Sequence, residues 1–169
     1  VGAVKLKIIS GGQTGADIGG LRAAKAHDIP TGGCAAKQFK TEDGYFKELE
    51  TFYFLEDKGY DYVERTKENV RTSDLTLIFA DHLESPGTKL TIRTCRELKK
   101  PYRVNPASYV ILTVLSKMNK ILDGDAVFVI NIAGNRESVA PGIRERTERV
   151  VAGALKMWKY KTQGHKVLR

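Results

Sequence analysis

Apolar positions fall into short dense runs separated by stretches with a three-to-four-residue period, and this alternation sets the expected elements. Leu6, Ile8 and Ile9 form a run that stops at Ser10, where small residues take over: a strand meeting a glycine-rich turn. From Asp17 to His27, Ile18, Leu21, Ala24 and Ala26 recur near helical spacing, and Pro30 with Gly32-Gly33 ends that helix. Residues 34–59 lack a strong period and carry the turn signal Glu42-Asp43-Gly44, which reads as a long ordered loop with one short strand near Phe52–Leu55. A helix is expected from Tyr60 to Thr72, after which Ser73-Asp74 leads into Leu75–Ala80, apolar on both faces as in a central parallel strand. A polar loop through Pro86-Gly87-Thr88 precedes a helix to about Lys99. Pro101–Val104 reads as a strand, Ser108–Leu122 as a helix and Val127–Ile132 as the last strong strand. Pro141 stands where a first-turn proline belongs, opening a helix towards Trp158. The alternation predicts an α/β fold: a single Rossmann-like domain with an open, mostly parallel sheet and helices on both faces.

The 169 residues suit one core, here residues 1–160, followed by a basic tail at 161–169. The formal charge of +8 changes this picture little. From Pro141 to Arg169 eight Lys/Arg face two Glu, so the excess belongs to the C-terminal end. No aromatic-interleaved motif accompanies it, and a solvated terminus is expected in preference to nucleic-acid binding. No apolar run is long enough to span a bilayer, and Lys5 and Lys7 around a short strand do not read as a signal peptide. A soluble, cytoplasmic protein is expected. Cys34 and Cys95 lack metal-site spacing, His27, His82 and His165 lie far apart, and no metal held directly by the protein is predicted.

In a parallel sheet ligands settle where strands run into helices, and three such segments carry unusual residues. In Ser10-Gly11-Gly12-Gln13-Thr14-Gly15-Ala16-Asp17 the glycines allow close backbone approach, and the next helix offers N–H groups to an anion. Gln13 and Thr14 add side-chain hydrogen bonds. The segment is neither GxGxxG nor a Walker A loop, and the plainer alternative is a turn with Asp17 as helix N-cap. Gly87-Thr88 offers a second phosphate contact, or Thr88 simply caps the helix, with Lys89 as a compensating charge. The third runs from Asn131 through Asn135, Arg136, Glu137 and Ser138 to Pro141-Gly142-Ile143. Arg136 there clamps phosphate or carboxylate, or Glu137 pairs with Arg136 or Arg144. Arg65 and Asn69 share a helix face by their i, i+4 spacing, and solvation is the simpler account of it. Lys37, Glu42 and Asp43 in the long loop complete the candidate residues.

Taken in order, these segments resemble the molybdenum carrier, or molybdenum cofactor carrier-like, family. That family is related to the Rossmann-like group of the lonely-guy proteins and of proteins once labelled lysine decarboxylases. The matching stretches are Ser10–Asp17, Glu42-Asp43-Gly44, Glu64-Arg65-Thr66 with Asn69-Val70, Ser73-Asp74, Gly87-Thr88 with Leu90-Thr91, Lys100-Pro101 and Asn131–Ser138 with Pro141-Gly142-Ile143, spanning roughly residues 8–145. The resemblance implies a carrier that holds a phosphate-bearing pterin or nucleotide, the molybdenum cofactor (molybdopterin) among them, between the first glycine loop and Gly87-Thr88, and that assembles into homo-oligomers. Ile18 replaces an arginine usual in the family, and Cys34-Ala35-Ala36 stands near where a Cys-Pro is common. Hydrolase relatives carry a glutamate where Thr91 falls here, and a threonine does not supply the acid–base carboxylate for N-glycosidic cleavage.

The expectation is therefore a binding protein with Ser10, Gly11, Gly12, Gln13, Thr14, Gly15, Asp17, Lys37, Asn69, Gly87, Thr88, Asn135, Arg136 and Glu137 around the ligand. The rival readings are a nucleotide-processing enzyme, in which Asp17, Glu42, Asp43 or Glu137 replaces the missing carboxylate, and a nucleotide-signal sensor or sponge.

Overall fold

Five strands form the central sheet of the computed structural model, which describes residues 4–163: β1 (Lys5–Ser10), β2 (Thr31–Gly32), β7 (Leu75–Phe79), β8 (Tyr102–Val104) and β9 (Val127–Gly134). Their order is β2-β1-β9-β7-β8 and every pairing is parallel. Numbered along the chain, these strands lie in the order 2-1-5-3-4. If the last strand is counted first, the order becomes 3-2-1-4-5, that of a doubly wound sheet. The switch point of such a sheet, where connections leave in opposite directions, lies here between β9 and β7.

Side chains alternate across the sheet, so each strand feeds two different layers. Leu6 and Ile8 of β1, Leu75, Leu77 and Phe79 of β7, and Phe128, Ile130 and Ile132 of β9 point into the main apolar core. Over them lie α1 (Ala16–Ala26), α5 (Ser108–Ile121) and α6 (Ile143–Thr162), which contribute Ala23, Leu115, Leu155 and Trp158. The opposite face is covered by α3 (Tyr62–Arg71) and α4 (Pro86–Glu97), packed against each other. α3 starts at Asp61, whose carboxylate accepts the Val63 and Glu64 N–H groups, an ordinary N-cap.

The predicted α/β architecture is observed, with local corrections. Residues 34–59 are not one loop. They hold β3 (Cys34–Ala35), a 3-10 turn (Lys37–Phe39), a hairpin of β4 (Lys40–Thr41) and β5 (Gly44–Tyr45), α2 (Glu48–Thr51) and β6 (Glu56–Asp57). These pieces are too short to show a period. They are held instead by a second small core of Leu21, Ala35, Phe39, Leu49, Tyr53 and Leu55. No strand forms over Phe52–Leu55; the pairing is one step later, Glu56–Asp57 against Cys34–Ala35. Pro86-Gly87-Thr88 is the first turn of α4 and not a loop before it, because proline at the first helical position loses no hydrogen bond. Pro141 lies outside its helix: Gly142, at φ 89°, is the N-cap, and α6 begins at Ile143. α6 continues through Thr162, so the tail expected from residue 161 starts inside a helix. The rest of that tail, with His165, lies outside the described residues. Among the described residues no helix is long and apolar enough to cross a membrane.

Candidate ligand-binding site

A cleft of about 220 Å3 opens at the carboxyl ends of β1, β9 and β7, beside the switch point. Its walls include Gly11, Gln13 and Asp17 from the glycine loop and α1, Tyr62, Arg65 and Asn69 from α3, Pro86, Gly87 and Thr91 from α4, and Asn131 and Arg136 from β9 and the segment after it. Four chain segments far apart in sequence meet here, three of them because parallel strands point their ends the same way and the fourth, α3, because it packs beside α4.

The glycine loop is shaped by its neighbours. A Cβ on Gly11 would stand 1.4 Å from Arg65 Nη1, so the glycine makes room for a guanidinium. A Cβ on Gly12, at φ 71°, would meet Leu49 and Leu55 at 2.8–2.9 Å; this glycine serves the second core and not the cleft. Gly15 is the N-cap of α1, which corrects the alternative that gave this place to Asp17. Asp17 sits inside the first turn, where its carboxylate accepts the Gln13 N–H at 3.1 Å and pairs with Arg65 Nη1 at 3.2 Å. Burial pushes the Asp17 carboxyl up, although the Arg65 charge and the N–H bonds work against it.

Gln13 is buried, and its Oε1 accepts the N–H groups of Thr14 at 3.0 Å and Glu42 at 2.9 Å. Its Nε2 has no partner among the described residues, and the same holds for Arg65 Nε and Asn131 Oδ1. All three residues line this one cleft. Buried polar atoms are nearly always paired in folded proteins, so three unpaired ones on residues of one cleft leave hydrogen-bonding capacity there that water or a ligand can meet. Arg136, half-buried, has no carboxylate partner among the described residues and lies over the Tyr62 ring at 5.0 Å, with the Arg65 guanidinium 5.7 Å from the same ring. Pro86 and Gly87 bring the N-terminus of α4 to the wall, and no side chain caps it. Its free N–H groups and positive dipole end suit an anion.

The structure brings Gly11, Gln13, Asp17, Asn69, Gly87 and Arg136 together. It assigns the other candidate residues to the frame. Ser10 is buried and its hydroxyl accepts the Gly12 N–H. Thr14 donates to Glu42 and accepts from the Glu137 N–H. Thr88 caps nothing; buried, its hydroxyl pairs with Ser85 and with Asn135. Asn135 spends its amide on Asp81, His82, Ser85 and Thr88 and so staples the β7–α4 loop down. Glu137 pairs with neither Arg136 nor Arg144 side chains; its carboxylate accepts the N–H groups of Gly142 and Arg144 at the start of α6. Lys37 is exposed and lies outside the cleft wall. Asn69, expected at the ligand with a solvated face as the plainer alternative, is buried and exchanges hydrogen bonds with the Cys34 backbone.

Glu42 is the clasp of this frame. Burial works to raise its carboxyl, but hydrogen bonds from the Ser138 hydroxyl, the Thr14 hydroxyl and the Ser138 N–H outweigh it, and the pKa lies below the usual range. Arg65, Asn131 and Tyr62 are cleft residues that sequence reading did not place in the site. Asn131 did carry a signal, an amide in the middle of the apolar run Val127–Ile132; the pairing of Arg65 across 48 residues with Asp17 carried none.

No curated protein matches this chain. Residues 8–155 match the model of the family described as the circularly permutated YpsA SLOG family, which agrees with a sheet whose last strand takes the first strand's place. A solved structure from Syntrophus aciditrophicus, named "Putative molybdenum carrier protein", is similar at 33% identity and a TM-score of 0.70, covering 94% of this chain and 97% of its own.

Proposed function

The chain belongs to the circularly permutated YpsA SLOG family, and on that premise we propose that it is a carrier-like binding protein for a phosphate-bearing pterin or nucleotide, the molybdenum cofactor among the candidate cargoes. The convergence of Gln13 Nε2, Arg65 Nε and Asn131 Oδ1, unpaired and lining one cleft, carries this reading. The phosphate belongs at the α4 N-terminus beside Arg136, and the ring belongs deeper, near Asn131. No cysteine or histidine lines the cleft, so its residues fit the pterin and phosphate of such a cargo and not its metal. The solved relative's name supports the same class of cargo.

A nucleotide-cleaving activity needs a carboxylate free to move a proton at the ligand. Of Asp17, Glu42, Asp43 and Glu137, Asp17 alone lines the cleft, and it is tied to Arg65 and the Gln13 N–H. This favours binding over turnover. Cys34 and Cys95, buried and unpaired, suit a reducing compartment such as the cytoplasm.

Native mass spectrometry of the purified chain, intact and then denatured, tests the proposal. A homo-oligomer that releases a pterin or nucleotide mass is expected, and Arg136→Ala should retain that ligand at least about tenfold less tightly. An apo spectrum, together with no binding from a panel of pterin and nucleotide phosphates, would sink the proposal.

A further inference from the structure

The amide of Gln13 can be oriented without ambiguity. Its Oε1 takes two backbone N–H groups, and the reversed amide would set an NH2 against both donors. Nε2 is therefore a buried donor without a partner among the described residues, on a side chain that lines the cleft. Asn131 Nδ2 reaches Thr76 Oγ1 at 3.4 Å, which leaves Oδ1 as an unpaired acceptor. With Arg65 Nε, residues of the cleft hold two donors and one acceptor that no described residue uses.

Charge separates the two ends of the cleft. Asp17 matches the charge of Arg65, so the inner part is nearly neutral. Arg136, which forms no salt bridge among the described residues and only bears on Glu42 at a distance, joins the α4 N-terminus in putting positive potential at the other end. An anionic group belongs at that outer end and an uncharged polar edge at the inner one. A carbonyl oxygen has two lone pairs and can take both spare donors, whereas a ring nitrogen has one. The spare acceptor calls for an N–H beside that carbonyl.

Resting on the phosphate-ligand reading above, we propose that Gln13 and Asn131 are the specificity-determining residues of the cleft and read a lactam edge: a ring carbonyl next to a ring N–H, as in oxopurine- and oxopterin-type heterocycles. Amino-heterocycles of the adenine kind, which offer a ring nitrogen instead of a carbonyl, are disfavoured.

Calorimetric titration of the full chain with GMP, 1-methyl-GMP, AMP and ribose 5-phosphate decides this. GMP should bind at least about tenfold more tightly than each of the other three, since each leaves a spare donor or acceptor unpaired. Gln13→Glu keeps an oxygen for the Thr14 and Glu42 N–H groups but replaces the donor with an acceptor, and should cut GMP affinity at least about tenfold. Equal affinity for GMP, 1-methyl-GMP and AMP, or tighter binding of AMP, overturns the lactam assignment and leaves the phosphate reading standing. Failure of all four, and of a pterin phosphate titrated beside them, overturns both. The ligand series on the unaltered chain gives its answer even where the Gln13 variant does not fold.

Discussion

On one face of the sheet Leu6, Ile8, Leu77, Phe79, Ile130 and Ile132 meet α1, α5 and α6 in a continuous apolar layer. On the other, the same strands present Lys7, Thr76 and Asn131 among Ile9 and Ile78 towards α3 and α4, whose buried residues include Asn69, Thr88, Thr91 and Thr94 beside Val70 and Cys95. One residue's shift along any of these strands moves from the first environment to the second. The apolar layer gains from water exclusion at every position. The polar layer must find a partner for each group, and at the carboxyl ends of β1 and β9 it leaves some without one. Unpaired atoms also occur on the apolar side, at Thr147 and Trp158 of α6, but neither lines the cleft. Stability and binding are thus divided between two sides of one sheet, and the cleft sits on the side that contributes less to the core.

The division can be broken most strongly from the apolar side. Leu155→Ala should cost about 2–5 kcal/mol of stability by opening a cavity beneath α6, read as a lower urea midpoint. Binding in the surviving folded fraction should change little. If ligand affinity falls as steeply as stability, the two layers are not separable.

Asn131→Leu sharpens the contrast by moving the two properties in opposite directions. Replacing a buried amide whose Oδ1 is unpaired and whose Nδ2 makes only a long hydrogen bond to Thr76 with an apolar side chain removes a desolvation penalty, so stability should hold or rise by up to about 1 kcal/mol. Ligand retention should be lost. A destabilised variant that still binds would show that Asn131 serves the fold and not the ligand.

The smallest effect is a difference in acid response. Arg71 and Lys58, through their hydrogen bonds, hold the Glu68 carboxyl on α3 down to about 2 from an ordinary 4.5. A carboxyl lowered in the folded state contributes stability that is fully present above its unfolded value and is lost as pH falls towards the folded one. Both cations are solvent-accessible, so screening keeps the contribution below about 1 kcal/mol. Glu68→Gln should accordingly be slightly less stable than the parent at pH 7, with the gap closing between pH 4.5 and 2. A gap of the same size at both ends would remove Glu68 from the polar layer's account.

How much of the site was legible depends on the range of the interaction. The glycine loop showed in sequence as something more than a turn, because adjacent glycines ahead of a helix have few other uses. What each glycine makes room for did not show: Gly11 answers to Arg65 and Gly12 to Leu49 and Leu55, all at least 37 positions away. Thr88, Asn135 and Glu137 are chemically suited to a phosphate, and the structure spends them on Ser85, on the β7–α4 loop and on the start of α6.

By itself the sequence determined the alternation of strands and helices, the parallel sheet with both faces covered, and the end of that sheet where a ligand would sit. Those features follow from side-chain period, turn chemistry and capping, which act over a few residues. Only the tertiary structure decided that β9 lies between β1 and β7, that Arg65 is folded against Asp17, and which polar atoms remain unpaired. A hydrogen-bond partner is a matter of three-dimensional distance, and a side chain's local sequence does not state whether its partner will come from the protein or from a ligand.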